Sequence, residues 1–183
     1  MYYSINLYLI SNTGKVLWKK QLHGEVLGEI KQIDMYKNGR LQLVFATKNR
    51  VYVLDRNGKD VAPFPLKFND AITQPLSVFD YDKKKNYRLL VTQDKNVLMY
   101  DIRGKTVSGF TFKAAQNTIN HQPQHFRLGT KDYITVKTND QLYILNRVGK
   151  TRVTPKGNFG FSNQALYLYK GNFTTTTNDG QLV

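Results

Sequence analysis

The chain has 183 residues, 40% of them hydrophobic and 13% aromatic, enough for one domain with a sizeable core. Cysteine is absent, which excludes disulfides, thiolate metal sites and cysteine nucleophiles, and no run of about 18 apolar residues offers a membrane-spanning helix. The formal charge of +14 suits an anionic partner, or else a strand-rich surface kept soluble and resistant to edge pairing by lysine.

In chain order, the first predicted elements are two strands near residues 5–10 and 15–22. They are joined by a turn that carries Ser11, Gly14 and Lys15. The same punctuation returns at Asp55/Gly58/Lys59, Asp101/Gly104/Lys105 and Asn146/Gly149/Lys150, the glycines following one another after 44, 46 and 45 residues. A small polar side chain at the first turn position bonds backbone N–H groups ahead of it. The glycine supplies the left-handed conformation that ends a type I turn in a G1 bulge. An apolar run precedes each turn (residues 7–10, 51–54, 97–100 and 142–145) and a more polar run follows it.

Upstream of the later turns lie further strands at residues 41–46, 89–92 and 133–136, with a fourth at 173–177. Before those come EIKQIDMY, PLSVFDYD, PQHFRLG and QALYLY. Each repeat therefore reads as a four-stranded antiparallel meander, A to D. Central strands that are apolar at consecutive positions predict sheets buried on both faces. The best helix candidate, residues 24–35, holds two glycines and poor amphipathic spacing. The fold class expected is an all-β propeller of four-stranded meander blades. It comprises C and D strands at 5–22, complete blades at about 29–66, 75–112 and 123–154, and a part-blade at 163–183. Two arrangements follow: a partial propeller whose remaining blades lie outside this chain, which is preferred, or a four-bladed ring closed by a blade shared between the two ends. A partial propeller would self-associate through uncovered blade faces.

At GKVLW (residues 14–18) and the preceding LYLIS, the chain resembles the repeats of quinoprotein-like (PQQ-type) propellers. The segments DMYKNGRLQLVFATKNRVYVLDRNGK and FDYDKKKNYRLLVT are similar to the FG-GAP-like and VCBS-like repeats of bacterial surface and envelope propellers. The resemblance implies a scaffolding or recognition role in a longer bacterial envelope protein, in the periplasm or at the surface. Two departures matter. Ala62, Ser108 and Val153 stand where further equivalents of Trp18 would fall, so no quinone cofactor is expected. Lys84 interrupts the oxygen-ligand series begun by Asp80 and Asp82, so no calcium is expected, and these carboxylates should pair with adjacent lysines.

A meander places the A–B and C–D turns at one end of the blades. That end collects a candidate anion-binding face of Lys37, Arg40, Arg56, Lys59, Lys83, Lys84, Lys85, Arg103, Lys105, Arg147, Lys150 and Lys170. The opposite end carries longer D–A loops at 114–124 and 156–163, rich in Asn, Gln, Gly and Phe. Nucleic acid is not expected, since no exposed stacking platform or groove-reading helix accompanies the charge. No catalytic set is expected either. His121 and His125 flank Pro123 in a predicted loop, Asp80 and Asp82 alternate along a predicted strand, and no phosphate loop precedes a helix. The reading is a non-catalytic segment that binds a protein or glycan. The alternatives are an electrostatic binder of an anionic surface or polymer, and part of an enzyme completed by blades outside the chain.

Overall fold

The repeat unit of this molecule is an antiparallel sheet closed by one recurrent turn, and a computed structural model describes residues 5–183 of the array. An N-terminal hairpin pairs β1 (Ile5–Ile10) with β2 (Val16–Leu22). Sheet I is the meander β3 (Val26–Ile33), β4 (Gln42–Thr47), β5 (Arg50–Leu54) and β6 (Leu66–Lys67). Sheet II holds β7 (Ser77–Phe79), β8 (Arg88–Gln93) and β9 (Asn96–Asp101). Sheet III runs β10 (Gln124–Leu128), β11 (Lys131–Lys137), β12 (Leu142–Leu145) and β13 (Thr151–Val153). A last pair joins β14 (Tyr167–Tyr169) to β15 (Asn172–Thr174).

The four turns share one geometry. Gly14, Gly58, Gly104 and Gly149 have φ of 84°, 75°, 73° and 77°. Each donates its N–H at 3.0 Å to the carbonyl of the polar residue three positions earlier. The Asp55 carboxylate accepts from the N–H groups of Asn57 (2.8 Å) and Lys59 (2.9 Å), and Asp101 and Asn146 repeat the pattern on their own turns. Ser11, with a shorter side chain, accepts from one turn amide, that of Lys15 at 3.0 Å, and shares a 2.9 Å hydrogen bond with the Thr13 hydroxyl. This satisfies turn amides that would otherwise need water.

Successive sheets pack through three apolar clusters. Leu22 and Trp18 of the hairpin meet Phe45, Tyr52 and Leu54. Val44, Ala46, Val51 and Val53 meet Leu76, Leu89 and Val91. Leu90, Val97 and Met99 meet Ile134, Val136 and Leu145. Phe45 and its neighbours Val44 and Ala46 thus face opposite ways and are all fully buried, the two-sided burial that consecutive apolar residues predict. Phe173 continues the series, with rings of Phe126 and Tyr133 at 5.5 and 5.4 Å.

The outer strand departs from expectation. Sheet II has three strands: a turn at Ser108 and Gly109 precedes buried Phe110, and only bridges at Thr106 and Ala114 remain of strand D. The shared blade of a closed ring is not formed among the described residues. β1–β2 and β14–β15 are separate sheets, and the last one takes the chain's own Val183, which exchanges two 2.9 Å bonds with Thr175. At the two ends of the array Tyr8, Ile10, Val16 and Leu17, and Tyr167, Leu168 and Tyr169, are exposed.

Candidate recognition faces

At the turn end, neighbouring sheets are clamped by ion pairs. Asp34, at the end of β3, caps its own loop by accepting from the Asn38 and Gly39 N–H groups. It also receives Lys85 of the next sheet at 2.5 Å. That ammonium holds the Asp34 carboxyl below the usual carboxylate range and is itself pushed up. Asp82 accepts from Arg147, and Arg147 reaches on to Asp132, whose side chain is only 3% exposed. His125 Nε2 lies 2.8 Å from the same carboxylate. Burial alone would raise Asp132, but the hydrogen bonds from His125 and Arg147 outweigh it and keep the group low.

The candidate anion face therefore divides. Lys85, Arg103 and Arg147 are engaged in ion pairs, Lys37 donates to Asn86 at 2.8 Å, and Lys170 sits over the Tyr169 ring. Arg40, Arg56, Lys59, Lys83, Lys84, Lys105 and Lys150 are exposed and make no ion pair among the described residues. Two expectations are corrected here. His125 belongs to β10 and to the Asp132 cluster, not to a solvated loop, because its ring packs against Phe79 and Tyr81. Asp80 and Asp82 lie beyond the end of β7, in a turn where Asp80 accepts from the Lys84 and Lys85 N–H groups.

At the other end the D–A loops are stitched down in a repeating order. Ile72, Ala115 and Phe161 donate N–H to Lys48, Lys95 and Asn139, each in the B–C turn of the same sheet. Thr73, Asn120 and Ser162 then donate to Thr92, Lys137 and Thr176 of the following sheet. Half-buried His121 bonds the Asn163 carbonyl at 2.8 Å, and burial lowers its pKa. Lys137, only 1% exposed, donates to the Gln164 carbonyl and to Thr175 Oγ1 with no carboxylate partner among the described residues, and burial brings its pKa down to about 8.

Sheet III breaks the pattern beside its loop. In sheet I the outer edge of Val51 is paired by Leu66, and in sheet II Val97 donates to Lys113 at 2.8 Å. The equivalent Leu142 has no outer partner among the described residues. Extending the Ile144–Val153 pairing would set Pro155 opposite Leu142, and proline has no N–H to give. The loop swings out instead and leaves a cavity of about 790 Å3 lined by Gln141, Leu142, Tyr143, Asn158 and Phe159. A smaller apolar pocket of about 240 Å3 adjoins it, sharing Leu142, Phe159 and Phe161 and closed by Leu166 and Phe173. The sequence marked the 156–163 loop but missed this edge. Pro155, two residues past the last paired position of β13, was the available signal.

No family model and no curated protein matches the chain. Among solved structures it is similar to two of BBS1N in complex with ARL6DN, one soaked with lead and one with mercury. The TM-score is 0.65 in both, at 13% and 12% identity, over 98% and 99% of this chain. The chain spans 57% of those chains' length. BBS1N is a β-propeller, and the likeness gives this chain the same type of all-β architecture.

Proposed function

We propose that this chain is a non-catalytic arc of a β-propeller that serves as a rigid scaffold for recognising a protein partner. The observation that carries the reading is the overlap of nearly the whole chain with a propeller solved in complex with another protein. The stitched loops and clamped turns supply what such a scaffold needs, a surface ordered before the partner arrives. The test is photo-crosslinking in an extract of the source organism from Lys59, at the turn end, and from Asn158, at the loop end. A single protein captured at one end and displaced by excess unlabelled chain supports the reading. Capture of anionic polymers or lipids alone overturns it.

A second reading rests on the seven turn-end cations that make no ion pair among the described residues, which would bind an anionic surface or polymer. Retention on an anionic matrix above about 0.3 M salt favours it, whereas release near 0.1 M reduces the charge to a generic attraction.

A further inference from the structure

Three sheets of this molecule share one groove, along the outer edge of the third strand, and two of them fill it with their own chain. In β5 and β9 alternate residues turn their backbone groups outward. Val53 accepts from Val61 and Val51 pairs with Leu66, while Met99 accepts from Val107 and Val97 donates to Lys113. In β12 the alternation begins in the same way, with Asn146 donating to Lys150 and Ile144 paired to Val153, and then stops. Leu142 is next in the series. Its outward N–H and C=O have no partner among the described residues, and Leu142 lines both the 790 Å3 cavity and the adjoining apolar pocket that Phe159 and Phe161 share.

We propose that this edge of sheet III binds an extended peptide segment of a protein partner. The segment adds a short antiparallel strand to Leu142 and places one apolar side chain in the pocket under Phe159. The inference rests on the protein-scaffold reading and names the surface for it. The occupant's chemistry is drawn from the molecule itself. In sheet I the groove holds β6, and the Leu66 side chain packs against the buried cluster between sheets I and II. Backbone pairing then supplies affinity and the pocket selects the side chain. A sugar would meet Tyr143 and Asn158 but would leave the strand-spaced donor and acceptor of Leu142 unmatched in direction.

The test uses capped, dye-labelled peptides that copy residues 64–69 (FPLKFN), with Leu, Phe or Ala at the Leu66 position, and cellotetraose as the glycan probe. Binding of the Leu or Phe peptide should slow exchange of the Leu142 amide at least ten-fold and leave the Val51 amide unchanged. N-methylation of the peptide Leu, which removes the pairing N–H, should weaken binding at least ten-fold, while N-methylation of the following Lys should be tolerated. Phe159→Ala should weaken the Leu peptide about ten-fold, with little effect on melting, since the loop leaves this ring part-exposed. The proposal is overturned if no peptide binds, if both N-methyl peptides bind equally, or if only cellotetraose binds. Partner capture that persists elsewhere with Leu142 unprotected removes this inference alone; absence of any captured protein removes the scaffold reading as well.

Discussion

The indole of Trp18 lies flat against Gly58 of the next sheet, so close that a Cβ at that glycine would stand 2.7 Å from the ring. Trp18 Nε1 donates to the Arg56 carbonyl of the same turn at 2.9 Å. One residue of the N-terminal hairpin thus reads both the shape and a hydrogen-bonding group of the following turn. Gly149 repeats the close approach, since a Cβ there would stand 2.6 Å from the Phe112 backbone N.

Gly58→Ala should therefore destabilise the fold by about 2–3 kcal/mol, combining a left-handed φ with an aromatic clash. Trp18→Phe should lose about 1 kcal/mol for the hydrogen bond and some contact area. Urea unfolding followed by circular dichroism measures both. The proposed packing fails if Gly58→Ala is neutral.

Asp101→Ala removes the acceptor for two turn amides and should cost about 1 kcal/mol. Ser11→Ala, which removes only one such bond, should cost less. Amide exchange at Arg103, Lys105 and Lys15 reports the effect turn by turn.

Asp34, Asp82 and Asp132 all have carboxyls held below their ordinary range. A lowered folded-state pKa contributes stability above the unfolded value near 3.9 that is lost as pH falls through the folded value. Stability should accordingly drop below about pH 4. Asp132→Asn should flatten part of that drop and cost about 3 kcal/mol at pH 7 by leaving Arg147 and His125 without their buried partner. Chemical unfolding between pH 3 and 7 checks both effects.

Lys137 gives a slope of the same sign in an alkaline window. Its folded-state pKa of about 8 lies below the ordinary 10.5, so the folded form releases its proton first and stability rises as pH climbs from about 8 toward 10. Lys137→Met should abolish that rise and stabilise the protein at pH 7 by about 1 kcal/mol, by replacing a buried charge with an apolar chain of similar length. Equal slopes for the two proteins between pH 7.5 and 9.5 would reject this account.

The turns were legible in the amino-acid order because each closes on itself within five residues. The hydrogen bonds that shape the turn at Asp55, Gly58 and Lys59 all lie within the local chain. The two-sided burial of β4 was legible for a related reason, since consecutive apolar residues at 43–46 leave no face for water. The expected pairing of Asp80 and Asp82 with adjacent lysines is not what forms: Asp80 accepts from the backbone N–H groups of Lys84 and Lys85, and Asp82 takes the Arg147 guanidinium from the next sheet, 65 positions away.

What the chain decides alone is thus the period, the turns and the strands, all set by φ preference, local hydrogen bonding and apolar spacing. What only the folded array decides is who stands beside whom: His125 beside Asp132, Trp18 against Gly58, and Leu142 facing an opening where its counterparts meet their own chain. Such neighbours depend on how one sheet stacks on the next and on where a proline turns the backbone aside. Those are distances through space, which spacing along the chain does not encode.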